Sequence, residues 1–349
     1  MRLKTKGGSA ILMSVFLTFC FLATQVKAES KEEIIQKAKK EGELVLYWTM
    51  SSSVANEAIK MFNEKYPFIK VKRFQTSAFK LIGRYYQEVA ARRSTCDMLS
   101  ITDLLPFMKF HEEGNLLEYD SPEWDHLQEM PKNYIKRGYY APIRVLPLSI
   151  MVNTNIVDPS TIKTYDDILQ DRFKGKIVSG DVEHSDCAYP FYYSLRKATG
   201  STHYWKRLGE LNAAVFTSSE KGTEACVAGE WPVIMDIWHF RTYQYGALKG
   251  APVTSIVPKE GAALIPGPNA IMKQARHPNA AKLMQDHMFS KEVQEMVAKK
   301  IGYHPARKDV SLPEGITPLD KIKVMPIDYD EAAKLRKEWM ADWKKLMNR

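Results

Sequence analysis

Residues Ile143 to Asn153, IRVLPLSIMVN, constrain the fold more than any other stretch of the chain. Pro147 stands in the middle of this apolar run. Proline lacks an N–H and clashes with the preceding turn, so the run cannot be a helix. Extended, at about 3.3 Å per residue, it reaches about 36 Å. That is long enough to leave one globular lobe and enter another.

The sequence on either side of Pro147 reads as two similar blocks. Before it, Leu44–Trp48, Ile69–Phe74 and Asp97–Ile101 read as strands. Helical spacing follows each, over Val54 to Phe62, Phe79 to Arg92 and Leu104 to Glu113. After it, a small helix begins at Tyr165 and strands are expected over Phe173–Val178, Ala214–Phe216 and Trp231–Asp236. They alternate with helices at Tyr189–Ala198, Tyr204–Leu211, Thr223–Ala228 and Phe240–Leu248. Strand–helix alternation of this kind builds a parallel sheet covered by helices. Pro252–Pro258 is extended and reads as the return crossing. Helices over Pro278–Phe289, Lys291–Lys299 and Tyr329–Met347 end the chain.

The first 28 residues are set apart from this plan. Arg2, Lys4 and Lys6 precede an apolar stretch, Ala10 to Ala23, and Val26-Lys27-Ala28 offers a small-residue cleavage site. The stretch reads as a secretory signal peptide cut after Ala28, which places the mature protein in the periplasm. Cleavage there leaves 321 of 349 residues, more than one core usually holds. The fold class is therefore α/β, two doubly wound lobes joined by crossing strands. Residues 29–146 with 259–349, including the C-terminal helix, form the first lobe, and 147–258 the second.

Losing four basic residues with the leader takes the formal charge from +9 to +5. The remaining basic residues are scattered among acids, so no nucleic-acid footprint is expected. Cys96, Cys187 and Cys226 remain, an odd number at wide spacing, which suits buried thiols; if one pair forms, Cys187 with Cys226 is preferred. No CxxC or HExxH pattern supports a structural zinc site, and no G-x-S-x-G elbow supports a hydrolase. The chain is expected to be no enzyme, to need no cofactor and to be monomeric.

In doubly wound lobes ligands lie beyond the carboxyl ends of the strands. The exits here are rich in hydroxyls that precede helices: Thr49, Ser51 and Ser52; Ser77; Thr102; Ser185; Ser218 and Ser219. Free N–H groups and the positive dipole end of such helices hold anions, although the same serines also suit plain helix capping. Arg241 and Lys221 are the candidate charge partners. The rival site is a cluster of carboxylates and histidine, His184 and Asp186 with Asp236 and His239, suited to a divalent metal. The competing reading of Asp181 to Asp186 is a solvated, capped loop.

The exported start and the opening GELVLY with its serine loop resemble the type II periplasmic substrate-binding proteins of ABC importers. FNEKYP at Phe62, LSIMVNTN at Leu148, FKGKI at Phe173, VAGEWPV at Val227 and GYHPAR at Gly302 strengthen that resemblance. It is to the extracellular solute-binding family, in the branch of ferric-ion and organic-anion binders. It implies a small-molecule solute in an interlobe cleft and delivery to a membrane permease. Iron carriers of this branch place tandem tyrosines after the strand matching Trp231–Asp236, and here that segment reads IWHFRTY. Tyr85-Tyr86 and Tyr192-Tyr193 fall inside helical patterns and read as packing residues. A small anionic organic solute is the first expectation. An Fe(III) or divalent-metal receptor of the same fold is the alternative, then a periplasmic sensor subunit or a secreted enzyme.

Overall fold

The structure, a computed structural model, describes residues 29–131, 133–185, 188–325 and 327–349. The expected leader lies outside the described residues, as do Asp186 and Cys187, and with them the Cys187–Cys226 pairing. Cys96 and Cys226 are buried free thiols.

Helix α1 (Lys31–Glu41) leads into β1 (Glu43–Trp48), α2 (Ser52–Lys65) and β2 (Lys70–Phe74). Next come α3 (Ala78–Ala90), β3 (Met98–Ser100), α4 (Leu105–Glu112) and the long β4 (Tyr140–Asn153). The second block holds β5 (Ile177–Gly180), α5 (Ala188–Thr199), α6 (His203–Glu210) and β6 (Ala214–Phe216). It continues with α7 (Ser219–Ala228), β7 (Val233–Trp238) and a four-residue α8 (His239–Thr242) that runs into a π turn, Tyr243–Ala247. Then follow β8 (Val253–Ile256), β9 (Ala262–Ile271), α9 (Pro278–Phe289), α10 (Lys291–Ile301), β10 (Val324–Met325) and α11 (Tyr329–Leu346).

The strands run in the order β2-β1-β3-β9-β4-β7-β5-β6, with β10 beside β9 and β8 beside β4. Within each block the ladder is parallel, β1 with β2 and β3, β5 with β6 and β7. β4 joins the blocks. Its pairs with β9 end at Pro147–Leu264, and its pairs with β7 begin at Leu148–Trp238. The strand changes lobes there, and all fourteen of its residues are buried. Full burial on both faces explains why the run is apolar rather than alternating.

Strand β9 went unread in the sequence, because AALIPGPNAI looks like a loop at Pro266-Gly267-Pro268. The ladder tolerates it. β4 carries one extra residue between the pairs Pro142–Pro268 and Val145–Pro266, and the bulge absorbs prolines that would break a regular ladder. The second crossing is thus the short link from β8 to β9. The helix expected over Phe240–Leu248 is present as α8, His239–Thr242, continued by a π-helical stretch, Tyr243–Ala247.

The tandem tyrosines are packing residues, as their spacing implied. Tyr192 stacks edge-on to Trp205 with ring centres 4.3 Å apart, and Tyr193 bonds to Glu331. Tyr85 is buried against Phe110, and Tyr86 donates to Glu113.

Helix α11 rests on α5 and α6 of the second block and touches α4 of the first. The Tyr189 hydroxyl donates to Ala332 O at 2.5 Å, Arg196 pairs with Asp342 at 3.2 Å, and Tyr329 packs its ring against Tyr134. Gly209 makes the close approach possible, since a Cβ there would lie 2.3 Å from Leu346 O. Alanine favours a helix by about 1 kcal/mol over glycine, but a backbone overlap of this size outweighs that gain. Gly209→Ala should therefore lower the thermal midpoint by several degrees and loosen the C-terminal turn. A midpoint equal to or above wild type would show that α11 does not depend on this contact.

Candidate functional site

The parallel strands of both blocks aim their carboxyl ends at one cleft. From the first block, β1 ends at Trp48 and delivers Thr49, and α2 starts at Ser52, with Ser51 as its N-cap. From the second, β6 delivers Ser218 as the N-cap of α7, and β7 delivers His239, Phe240 and Arg241. Neither serine side chain caps its own helix, nor does Ser77 at the start of α3. Ser51 Oγ meets only Ser53 Oγ, at 3.4 Å, and the first N–H groups of these helices take no bond from their own N-cap side chains.

Ser51 and Arg241 meet across a cleft cavity of about 330 Å³. Ser53, Glu220, Gln244, Tyr245, Lys249, Lys300 and Tyr303 also face it. Arg241 spans to Ser219 Oγ at 3.4 Å and Gln244 Oε1 at 3.3 Å, while its buried Nε has no hydrogen-bond partner. These long bonds leave the guanidinium fork unspent. Lys300 is held by Glu57 at 3.0 Å, and Lys249 sits 4.2 Å above the Tyr245 ring centre. Larger hollows, near 500, 520 and 490 Å³, lie at the 304–320 segment, along α11 beside Glu183, and on α2 between Asn56 and Glu64.

The remaining expected residues divide. Ser52 receives Arg73 Nη2 at 3.2 Å and donates to Gln75 at 2.8 Å, so it is occupied beside the cavity. Arg73 also donates to Met50 O at 3.1 Å, bringing a cation to the start of α2 that the sequence did not single out. Thr49 Oγ is buried and unbonded. Thr102 and Ser185 are buried, whereas Ser77 is exposed; none of the three lines the cavity.

Of the proposed metal set, Asp186 lies outside the described residues, and His184 stands apart from the buried Asp236. Among the described residues the one group of three potential ligands is Asp181, Glu183 and His184. His184 turns to Asp181 at 3.1 Å, and Glu183 is neutralised by Lys344 at 2.8 Å. Asp236 is elsewhere, fully buried and accepting from Ser179 Oγ and Gly180 N at 2.9 and 2.8 Å. Burial pushes its carboxyl up to about 7. His239 packs against His304, and burial, then that second ring, hold its imidazole down at about 4. The separation has a simple cause. Asp236 points into the layer between β5 and β7, while the His184 turn projects to solvent.

The sequence reading also missed residues on the crossing strands. Arg144 is the one charge in β4 and is 3% exposed. Its guanidinium lies 5.7 Å from the Tyr303 ring centre, and Tyr303 in turn meets Phe240 at 4.7 Å on the cavity wall. A lone charge inside a buried, mostly apolar strand was a signal available in IRVLPLSIMVN.

A model of bacterial extracellular solute-binding proteins matches residues 101–334. An uncharacterized protein of Haemophilus influenzae is 25% identical over 319 residues, covering 88% of this chain and 91% of its own. Among solved structures, the periplasmic binding protein AfuA of Actinobacillus pleuropneumoniae, with fructose-6-phosphate bound, is 24% identical. It superposes with a TM-score of 0.73 over 88% of this chain and 99% of its own. Iron-bound HitA of Pseudomonas aeruginosa is 20% identical, with a TM-score of 0.74 over 86% and 99%. At these identities the solved structures share the fold.

Proposed function

The chain belongs to the bacterial extracellular solute-binding protein family, and from that premise we propose that it is a periplasmic receptor handing a small organic anion to an ABC permease. The observation that carries the charge assignment is Arg241, whose buried Nε is unbonded in a cavity facing both blocks. Arg241, Lys249 and Lys300 oppose a single carboxylate on the cavity wall, Glu220. Ser51 and Ser53 add neutral donors from the first block, opposite Gln244 from the second. Donors from two lobes converging on one solute favour a closed state, because few dihedrals in the crossing links must change.

Receptor action requires binding without turnover. The protein purified under gentle conditions should release a small anion on denaturation, as read by native mass spectrometry. Adding that compound back should compact the protein in small-angle scattering, and the compound should be recovered unchanged. Binding abolished by EDTA would instead support a metal receptor, and a chemically altered compound would support an enzyme.

A further inference from the structure

Behind the cavity lies a second set of polar groups that the reading above does not use. Register places Trp48 on β1 beside Ser100 on β3, and Ser100 beside Asn269 on β9. Cross-strand partners share a face, so the three side chains form a row about 10 Å long at the end of the first block's sheet. All three residues are 0% exposed. Trp48 Nε1, Ser100 Oγ and both amide atoms of Asn269 are buried without a hydrogen-bond partner. Buried polar groups are nearly always bonded, so four open atoms in one row mark a place that something else completes.

The row runs on toward the cleft. Residues two apart on a strand share a face, so Gly267 lies on the same face as Asn269. Arg144 packs over Gly267: a Cβ there would lie 2.8 Å from Arg144 Cγ and 2.9 Å from Cζ. Glycine is what lets the guanidinium lie flat on β9. Tyr303, whose ring centre is 5.7 Å from the Arg144 guanidinium, lines the cavity that holds Ser51 and Arg241. The indole and the guanidinium can only donate, the serine and the amide can donate, and none of these residues is acidic.

We infer that Arg144, Trp48, Ser100 and Asn269 form an inner subsite for the compact oxyanion head of the solute, while Arg241 and its neighbours contact the solute's body. The inference rests on the receptor reading and deepens it. A phosphate or phosphonate head suits the donor-rich row better than a carboxylate, because its three terminal oxygens match donors arriving from three strands. In this arrangement the head sits in the first lobe and the body reaches the second, so one solute couples the two.

The test is calorimetry of the purified protein with inorganic phosphate, methylphosphonate, acetate and, as a neutral control, glycerol. Phosphate and methylphosphonate should bind, acetate at least ten-fold more weakly, and glycerol not measurably. Arg144→Gln and Gly267→Ala should each weaken phosphate by about ten- to a hundred-fold, as expected for charge-assisted bonds. Asn269→Asp, nearly isosteric but negative, should abolish it. Lys60→Ala, on the outer face of α2, should leave it unchanged. Melting curves separate binding from folding. If Arg144→Gln does not fold, Ser100→Ala, which removes one hydroxyl, carries the test with a smaller loss of about three- to ten-fold.

The inference is overturned if neither phosphate nor methylphosphonate binds, if acetate binds as well as they do, or if folded variants of the row bind phosphate like wild type. In each of those cases the co-purified solute distinguishes the two readings. If it still binds wild type with Arg241 dependence, the receptor reading stands and only the inner subsite falls. If it does not bind, both fall.

Discussion

Replacing Arg241 with alanine should weaken binding of the co-purified solute by about ten- to a hundred-fold. The basis is local. The guanidinium has two long bonds to neutral oxygens, at 3.3 and 3.4 Å, and a third donor, Nε, that is buried and unpaired. A solute oxyanion in the cavity would gain at least one charge-assisted bond there, worth about 1.5–3 kcal/mol, which is the stated fold-change. Arg241→Lys should recover only part of the loss, since an ammonium cannot reproduce a forked contact. Ser51→Ala and Ser218→Ala should each cost less, because neighbouring hydroxyls and helix N–H groups remain. Calorimetry with and without EDTA reads all of this. An Arg241→Ala protein that binds within two-fold of wild type removes the anion assignment for the cavity.

The second large effect is on stability, and it lies away from the cleft. His287 is buried in the first block, with Nε2 2.9 Å from Ala58 O and its ring packed on Phe62. Burial holds it down at about 4, as it does His239, and His304 is lowered for the same reason. Such groups favour folding while neutral. Their contribution is complete above about 6.5, the unfolded value, and is lost as the pH falls towards 4.

Asp236 acts in the opposite sense. Its carboxyl is raised to about 7, so the stability it lends is complete below about 4 and is lost as the pH rises through 7. Between pH 4 and 6.5 the unfolded chain binds a proton on His239 and on His287 that the folded chain lacks, the folded chain binds one on Asp236, and the lowered His304 adds to the histidines' side. The histidines win. Unfolding free energy should therefore fall by about 1.4–3 kcal/mol per unit of acidification across that window. His287→Gln, which keeps a donor for Ala58 O, should reduce the slope by about 1.4 kcal/mol per pH unit. Urea unfolding at pH 7, 6 and 5 measures both slopes. An unchanged slope in the variant would mean that His287 is protonated in the folded protein.

What the sequence determined was whatever depends on near neighbours. Pro147 in an apolar run ruled out a helix and left a crossing strand. The period of Leu44–Trp48 against Val54–Phe62 announced strand then helix, and the alternation on both sides of Pro147 announced two α/β lobes. Serines at the strand exits and Arg241 after β7 were legible too, because an exit is fixed by where its own strand ends. The tyrosine pairs were correctly set aside, since their helical neighbours gave them a packing role.

Tertiary structure decided everything that depends on which strand lies beside which. β9 was invisible because Pro266-Gly267-Pro268 is a breaker in isolation and is accommodated only opposite the β4 bulge. Asp236 and His184 looked like partners in a list of residues, yet one faces a buried layer and the other solvent. The row of Trp48, Ser100 and Asn269 joins residues more than 200 positions apart through two registers. No local pattern encodes such a row. The face a strand residue occupies is set by alternation within its own strand, but its neighbours on that face are set by pairing with strands from other parts of the chain.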